Sequence, residues 1–565
     1  MPTPPRPTAT RRSVLALATV AATACGGEPR AKHAATATAL VIATPVDADQ
    51  LIPPLVTTLQ GKQAVDLLFD ALATPTDTVH TVGDAGFRPQ LARRWAWAPD
   101  SLSVAFELDP RARWHDGRPV RAHDVRFSFG LYTDAAVASP HAGAFAGIDS
   151  VTVRDSLTAV VWWRRRTPEQ FFQIAYNLAV MPEHLLGTVP RASLAASPFA
   201  SRPVGSGRYR FGGWERRRRL AFAADTTNYR GRPRFDRVVW TVTGDPQAAL
   251  ASVLSGQADV LEAVRGEALS RATQSPRLRT VEYGTLDYAY LAFNQRPRRG
   301  GGSPFVERAV RVAFTQAVDR TGMVDNVLGA TGRVALGPFT RAQPTADSTL
   351  RQIAHDPAAA TRTLDSLGWR LDPARGVRVR GGRPLAVSLL VPSASAPRMR
   401  LAVLLQAQLA RAGVRVDVEP VDAGAFMERL RTGDFDLALN MWHADPNPTA
   451  LRQAWGTSSG ADVGANVGRW ANATFAARLD SAVTEFDAAR RTTLVRRAYQ
   501  TILDEAPAVW LYEPRNLAAV RRDLRPVSMR ADAWWAGIAD WGLAGDGAGA
   551  AARTVAAART VAAAR

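Results

Sequence analysis

The sequence predicts a mixed α/β fold with more than one lobe, and three observations carry that expectation. Short β-rich runs alternate with amphipathic helical stretches along most of the chain, the pattern that layers helices on sheets. The length, 565 residues, corresponds to about three to four ordinary domains. Hydrophobic residues make up 46% and charged residues 21%, which supplies sizeable cores and excludes wholesale disorder.

The elements follow in order. Residues 238–243 (Val-Val-Trp-Thr-Val-Thr) read as a strand, and Gly244-Asp245-Pro246 as a helix start with Asp245 as cap and proline at the first helical position. Leu250, Val253 and Leu254 share one face of that helix, which stops at Gly256. Val306, Ala309, Val310, Ala313, Phe314, Ala317 and Val318 recur at helical spacing and predict a second amphipathic helix. Leu401, Leu404, Leu405 and Leu409 repeat the pattern until Gly413, and the alternation over 414–418 predicts a strand. Leu494, Val495, Ala498, Tyr499, Ile502 and Leu503 form another helical face, and 509–512 reads as a buried strand.

The ends differ from this middle. Residues 1–24 carry Arg6, Arg11 and Arg12, no acid, and a short apolar stretch from Val14 to Ala24, the layout of an export signal. Arg11-Arg12 resembles a twin-arginine pattern, and an ordinary basic leader is the alternative. Ala22-Thr23-Ala24-Cys25 resembles a lipoprotein cleavage box, so Cys25 is the expected lipidation site, tethering the protein to a membrane surface. Residues 25–35 read as a flexible tether and 546–565 as a low-complexity Ala/Arg tail. No apolar run reaches the roughly 18 residues of a spanning helix, which excludes a polytopic membrane protein.

The formal charge is +19, with 70 basic and 51 acidic residues, and only Lys32 and Lys62 are lysines. The arginines are dispersed, and their densest runs lack interleaved aromatics, so no nucleic-acid partner is expected. With a single cysteine the chain has no disulfide framework and no zinc site with two thiolates. Serine-hydrolase elbows, His-Glu-x-x-His motifs and phosphate-binding loops are missing, and Gly205-Ser206-Gly207 lacks the third glycine of a dinucleotide loop. His115 and His123, flanking a turn at Asp116-Gly117, read as solvated turn histidines in the absence of a third metal ligand. An enzyme is not expected, nor a cofactor or metal.

Local blocks resemble one family. Leu68-Phe69-Asp70-Ala71-Leu72, Pro89-Gln90-Leu91-Ala92, Trp114-His115-Asp116-Gly117, Pro203-Val204-Gly205-Ser206-Gly207, Asn228-Tyr229, Leu254 to Val260, Tyr290 to Asn294, Val310 to Arg320 and Gly433 to Leu437 occur in the order seen in the family 5 extracellular solute-binding proteins. That resemblance implies a periplasmic-binding-protein type II-like bilobal clam with an extra inserted domain, closing on a ligand by hinge motion. It implies domain one at 36–63, 203–288 and 508–545, an inserted domain at 64–202, and a second lobe at 289–507. It also implies a periplasmic or otherwise extracytoplasmic receptor, monomeric, that captures a peptide-like ligand and delivers it to the permease of an ABC transporter. The same fold could instead take a nickel chelate, oligosaccharide, opine or haem.

The resemblance marks one ligand segment, Met441 to Pro448, at the end of a predicted strand where α/β clefts open. Asp445 stands where the family places the carboxylate that meets a ligand's α-amino group; a helix cap or an arginine pair are its alternatives. Asn447 stands where many relatives have a second acid, and Trp442 either walls the pocket or belongs to the core. No arginine is singled out to meet a ligand carboxylate.

Overall fold

A computed structural model describes residues 38–544, except 78, 297–301, 445, 447–448 and 457–465. Three sheets organise it. A seven-stranded sheet runs in the order Leu278–Tyr283, Asn516–Arg521, Val260–Leu261, Ala39–Thr44, Arg237–Val242, Arg219–Ala224, Tyr209–Glu215. Ala39–Thr44 pairs in parallel with both Arg237–Val242 and Val260–Leu261, and helix Pro246–Ser255 makes the crossover between those two. Asp245 caps that helix by accepting from the N–H groups of Gln247 (2.9 Å) and Ala248 (3.0 Å), and Gly256 ends it at φ 84°.

The second large sheet has six strands in the order Gly332–Val334, Ala508–Pro514, Asp287–Phe293, Leu437–His443, Ala386–Pro392, Arg415–Val421. Its strand Asp287–Phe293 shows why the sequence alternates as it does. Ala289, Leu291 and Phe293 pack under helices Arg308–Ala317 and Ala396–Arg411, while Tyr288, Tyr290 and Ala292 enter a separate core with Trp455, Trp510 and helix Ala488–Glu505. Helices cover both faces. Val306 departs from the expected stripe: it lies in a 3-10 turn, Pro304–Val306, because the extended backbone of Glu307 separates that turn from helix Arg308–Ala317, and it is exposed. A third, four-stranded antiparallel sheet (Ala92–Trp97, Ser103–Leu108, Thr158–Trp163, Ile148–Val153) lies within the 64–202 segment and has its own core. Among the described residues no helix is long and apolar enough to cross a membrane.

The chain crosses between the two large sheets at 284–286 and at Arg515. The sequence-based division at 508 therefore needs correction: strand Ala508–Pro514 is hydrogen-bonded to Asp287–Phe293 and Gly332–Val334, so it belongs to the second lobe's sheet. The fully apolar run that read as a buried strand is indifferent to which sheet buries it, which is why the boundary was misplaced. The two crossings are tied together. Glu282 pairs with Arg515 and accepts from Arg333 Nη2 at 2.7 Å, and the Arg515 hydrogen bond holds its carboxyl below the usual range.

The family-like blocks converge on one buried carboxylate. Asp70 is 0% exposed and accepts from Gln90 Nε2 (2.9 Å), Ser206 Oγ (3.2 Å), the Tyr229 hydroxyl (3.1 Å) and Arg230 Nη2. A Cβ on Gly205 would lie 1.8 Å from the Leu68 carbonyl oxygen, so only glycine permits this approach. His115 closes the joint. Its Nδ1 accepts from Gly205 N–H (3.1 Å), which leaves Nε2 protonated and facing the Gly207 carbonyl (2.9 Å). The expectation of a solvated turn histidine is thus corrected: the turn is exposed at Asp116-Gly117, but the imidazole is inserted between two segments. These blocks join the inserted domain to the first lobe.

Candidate functional site

The segment singled out by sequence leaves the second sheet at the end of strand Leu437–His443. Asn440 Nδ2 donates to the Tyr290 hydroxyl (2.8 Å), and Trp455 Nε1 donates to the Tyr288 hydroxyl (2.9 Å), so the strand rests on a hydrogen-bonded aromatic layer. Burial pushes the Tyr288 hydroxyl far above its ordinary value, keeping it neutral. Trp442 lies opposite Tyr288 in the antiparallel register, half-buried against that layer. His443 Nδ1 is 2.8 Å from Asp287 Oδ1, and Ala444 N–H donates to Leu286 O (2.7 Å), which fixes the strand end beside the first crossing. Asp445 and Asn447 lie outside the described residues, as does Cys25; Pro446 is buried.

Two cavities meet at Pro446, and both lie between the inserted domain and the second lobe, the first of them bordered also by Asp532 of the first lobe. One, of about 250 Å³, is lined by Glu169, Phe172, Tyr176, Leu286, His443 and Asp532. Its carboxylates have partners: Asp532 accepts from the Tyr176 hydroxyl (3.0 Å) and is clamped by Arg530 Nε (2.9 Å) and Nη2 (2.8 Å), and Glu169 pairs with Arg491. The other cavity, of about 360 Å³, is bounded by Thr76, His80, Thr81, Val82, Ala85 and Gly86 of the inserted domain on one side and by Pro344, Thr345, Ala488, Arg491 and Thr492 on the other. Glu169 lines the first cavity and Arg491 the second, so their ion pair stands between the two.

That pair bridges the lobes. Arg491 is 1% and Glu169 7% exposed, and 322 residues separate them in sequence. A second bridge lies beside it, where the Arg166 guanidinium sits 4.3 Å from the centre of the Phe486 ring. Sequence reasoning missed Arg491, although a signal was present. It sits four residues before Val495 and seven before Ala498 on the buried stripe of helix Ala488–Glu505, where an arginine interrupts an otherwise apolar face. Nothing local marked Glu169.

The site is thus a cleft at the carboxyl end of a sheet strand, roofed by an inserted domain, between lobes joined by two crossings. The sequence model of the bacterial extracellular solute-binding proteins, family 5 (middle region), matches residues 86–462. The chain belongs to this family.

Relatives of this solute-binding protein agree in fold. The oligopeptide-binding protein AppA of Bacillus subtilis is 24% identical over 429 residues, 75% of this chain and 77% of AppA. The structure of AppA in complex with a nonapeptide superposes with a TM-score of 0.72, at 22% identity, over 89% of this chain and 98% of that one. Di/tripeptide-binding protein 2 of Pseudomonas aeruginosa is 25% identical over 490 residues, 81% of this chain and 87% of its own. NikZ of Campylobacter jejuni, solved in complex with Ni(L-His), has a TM-score of 0.72 at 21% identity, covering 89% and 99% of the two chains. The fold is the bilobal α/β clam with an inserted domain.

Proposed function

We propose that this protein is the extracytoplasmic receptor of an ABC importer, which captures a peptide between its lobes and presents it to the permease. The observation that carries the reading is the cleft at the end of strand Leu437–His443, roofed by the inserted domain, in a chain whose family members include AppA and the di/tripeptide-binding protein 2. Binding energy comes from enclosing the ligand, and the two crossings at 284–286 and Arg515 are the short segments about which the lobes would rotate. In this reading Asp445 supplies the carboxylate for the ligand's α-amino group, Trp442 and Asn447 flank it, and no step of catalysis is involved. The inserted domain and first lobe move as one body, since the Asp70 joint fixes them together. Cys25 carries the lipid that holds the receptor at a membrane, and the receptor works as a monomer.

NikZ favours a second reading, a nickel chelate in the same cleft. Native mass spectrometry of the protein purified from its own extracytoplasmic compartment separates the two: peptide masses are expected on the protein, and a nickel-containing adduct would replace the first reading with the second. Solution scattering addresses the motion. The radius of gyration should fall on saturation with the retained ligand, and superimposable curves would contradict capture by closure.

A further inference from the structure

Arg491 is buried to within 1% of complete exclusion, yet among the described residues it is only partly satisfied. Its Nη2 donates to Glu169, while among the described residues Nε and Nη1 have no hydrogen-bond partner. A guanidinium carries five donors, and leaving buried donors unpaired is costly; native structures keep such groups where something else completes them. Arg491 also lines the 360 Å³ cavity that opens from Pro446. The other polar walls of that cavity are Thr76, His80, Thr81, Thr345 and Thr492, and no carboxylate is among its described lining residues. Two of those hydroxyls are already committed as donors or acceptors within the protein: Thr76 Oγ1 donates to Gly86 O, and Thr345 Oγ1 shares a hydrogen bond with the Tyr499 hydroxyl. The chamber therefore offers a buried cationic donor whose described anionic partner, Glu169, lies in the neighbouring cavity.

We infer that Arg491 is a specificity-determining residue that receives a carboxylate of the ligand in this second chamber, with Glu169 holding the guanidinium in place from the neighbouring cavity. The assignment rests on the peptide reading only for the identity of the ligand. The carboxylate has two sources in a peptide, its C-terminus or an acidic side chain, and the chamber's chemistry is the same for both. Glu169 serves a second purpose: it keeps Arg491 charge-compensated when the chamber holds no ligand, which an isolated buried guanidinium would not tolerate. Because the pair joins the inserted domain to the second lobe, the carboxylate would bind at the contact that closure forms. Ligand charge and closure are thereby coupled.

Calorimetric titration of the mature full-length protein with short alanine oligopeptides tests the assignment, each peptide used as free acid, as C-terminal amide, and as amide with one alanine replaced by aspartate. The wild type should bind the acid roughly tenfold or more tightly than the amide, the scale of a charge-assisted hydrogen bond. Recovery of affinity by the aspartate-containing amide would assign the chamber to a side-chain carboxylate; no recovery assigns it to the C-terminus. Glu169→Gln combined with Arg491→Gln removes both charges together and should abolish the discrimination, and Arg491→Lys, which keeps the charge without the planar fork, should reduce it. Equal binding of all three peptide forms by the wild type, or undiminished discrimination in Arg491→Lys, overturns the assignment. If no peptide binds in any form, the peptide reading fails by itself. Glutarate then serves as the probe: it should raise the thermal midpoint of the wild type and not that of the double variant, and no shift in the wild type would overturn the Arg491 assignment too.

Discussion

The inserted domain makes two interfaces, and they are built in opposite ways. Against the first lobe it uses a joint in which Asp70 accepts four hydrogen bonds, Gly205 passes within a Cβ's reach of the Leu68 carbonyl, and His115 is held at both ring nitrogens. Against the second lobe, the described residues show a buried ion pair, a cation–π contact and two cavities, with two guanidinium nitrogens of Arg491 unpartnered among them. The first interface is saturated with hydrogen bonds; the second, among the described residues, is sparse and leaves donors of Arg491 without a partner. A receptor that closes on a ligand needs both, a rigid body and a face that gains partners on closing. The difference teaches where to look for function: in the interface the fold leaves incomplete.

Perturbing the saturated joint should cost the most. Asp70→Ala strips the shared buried acceptor from four donors, including the Arg230 guanidinium, and should destabilise the protein by about 3 kcal/mol or more in chemical denaturation. A loss below about 1 kcal/mol would mean that the joint is not a unit. His115 gives a smaller, pH-dependent effect. Burial pushes its imidazole below the ordinary value near 6.5, so between that value and its own lower one the folded protein binds fewer protons than the unfolded chain. Stability should therefore fall as the pH drops below about 6.5, because a proton on Nδ1 would face the Gly205 N–H. His115→Gln should flatten that acid-side slope in denaturation midpoints taken across this range; an unchanged slope would assign it to other groups. The sparse interface should respond least in stability. Phe486 is 42% exposed, and Phe486→Ala should cost under about 1 kcal/mol while shifting the unliganded protein toward a larger radius of gyration. A strongly destabilised variant would show that this contact supports folding and not closure.

The sequence made the saturated interface legible and left the sparse one almost invisible. Asp70, Gly205, Ser206 and Tyr229 sit in short ordered blocks because a buried carboxylate needs donors at fixed places and Gly205 has no room for a side chain, and such constraints leave local patterns. The helix beginning at Asp245 and ending at Gly256 was readable for the same reason, since cap, proline and left-handed glycine are all local. Tertiary choice was not local. Strand Ala508–Pro514, buried throughout, carried no mark of the sheet it joins, and Val306 matched a helical stripe that its own turn excludes. The ion pair across the cleft joins residues 322 apart, and only the misplaced arginine on an apolar helical face hinted at it. Of the ligand segment, Trp442 is placed half against core, and Asp445 rests on its position in the family-like segment after strand Leu437–His443.

The central claim, that the cleft captures a peptide by its amino end, is tested most directly at that residue. Asp445→Asn keeps the volume and removes the charge, so a ligand ammonium enclosed without water would lose its counterion, at a cost of roughly 3 kcal/mol or a hundredfold in affinity. Calorimetric titration of wild type and Asp445→Asn with the same peptide, free and N-acetylated, closes a double cycle. The account predicts about a hundredfold weakening from either change alone and much less than the product from both together. Penalties that multiply, or no penalty from either change, would contradict it.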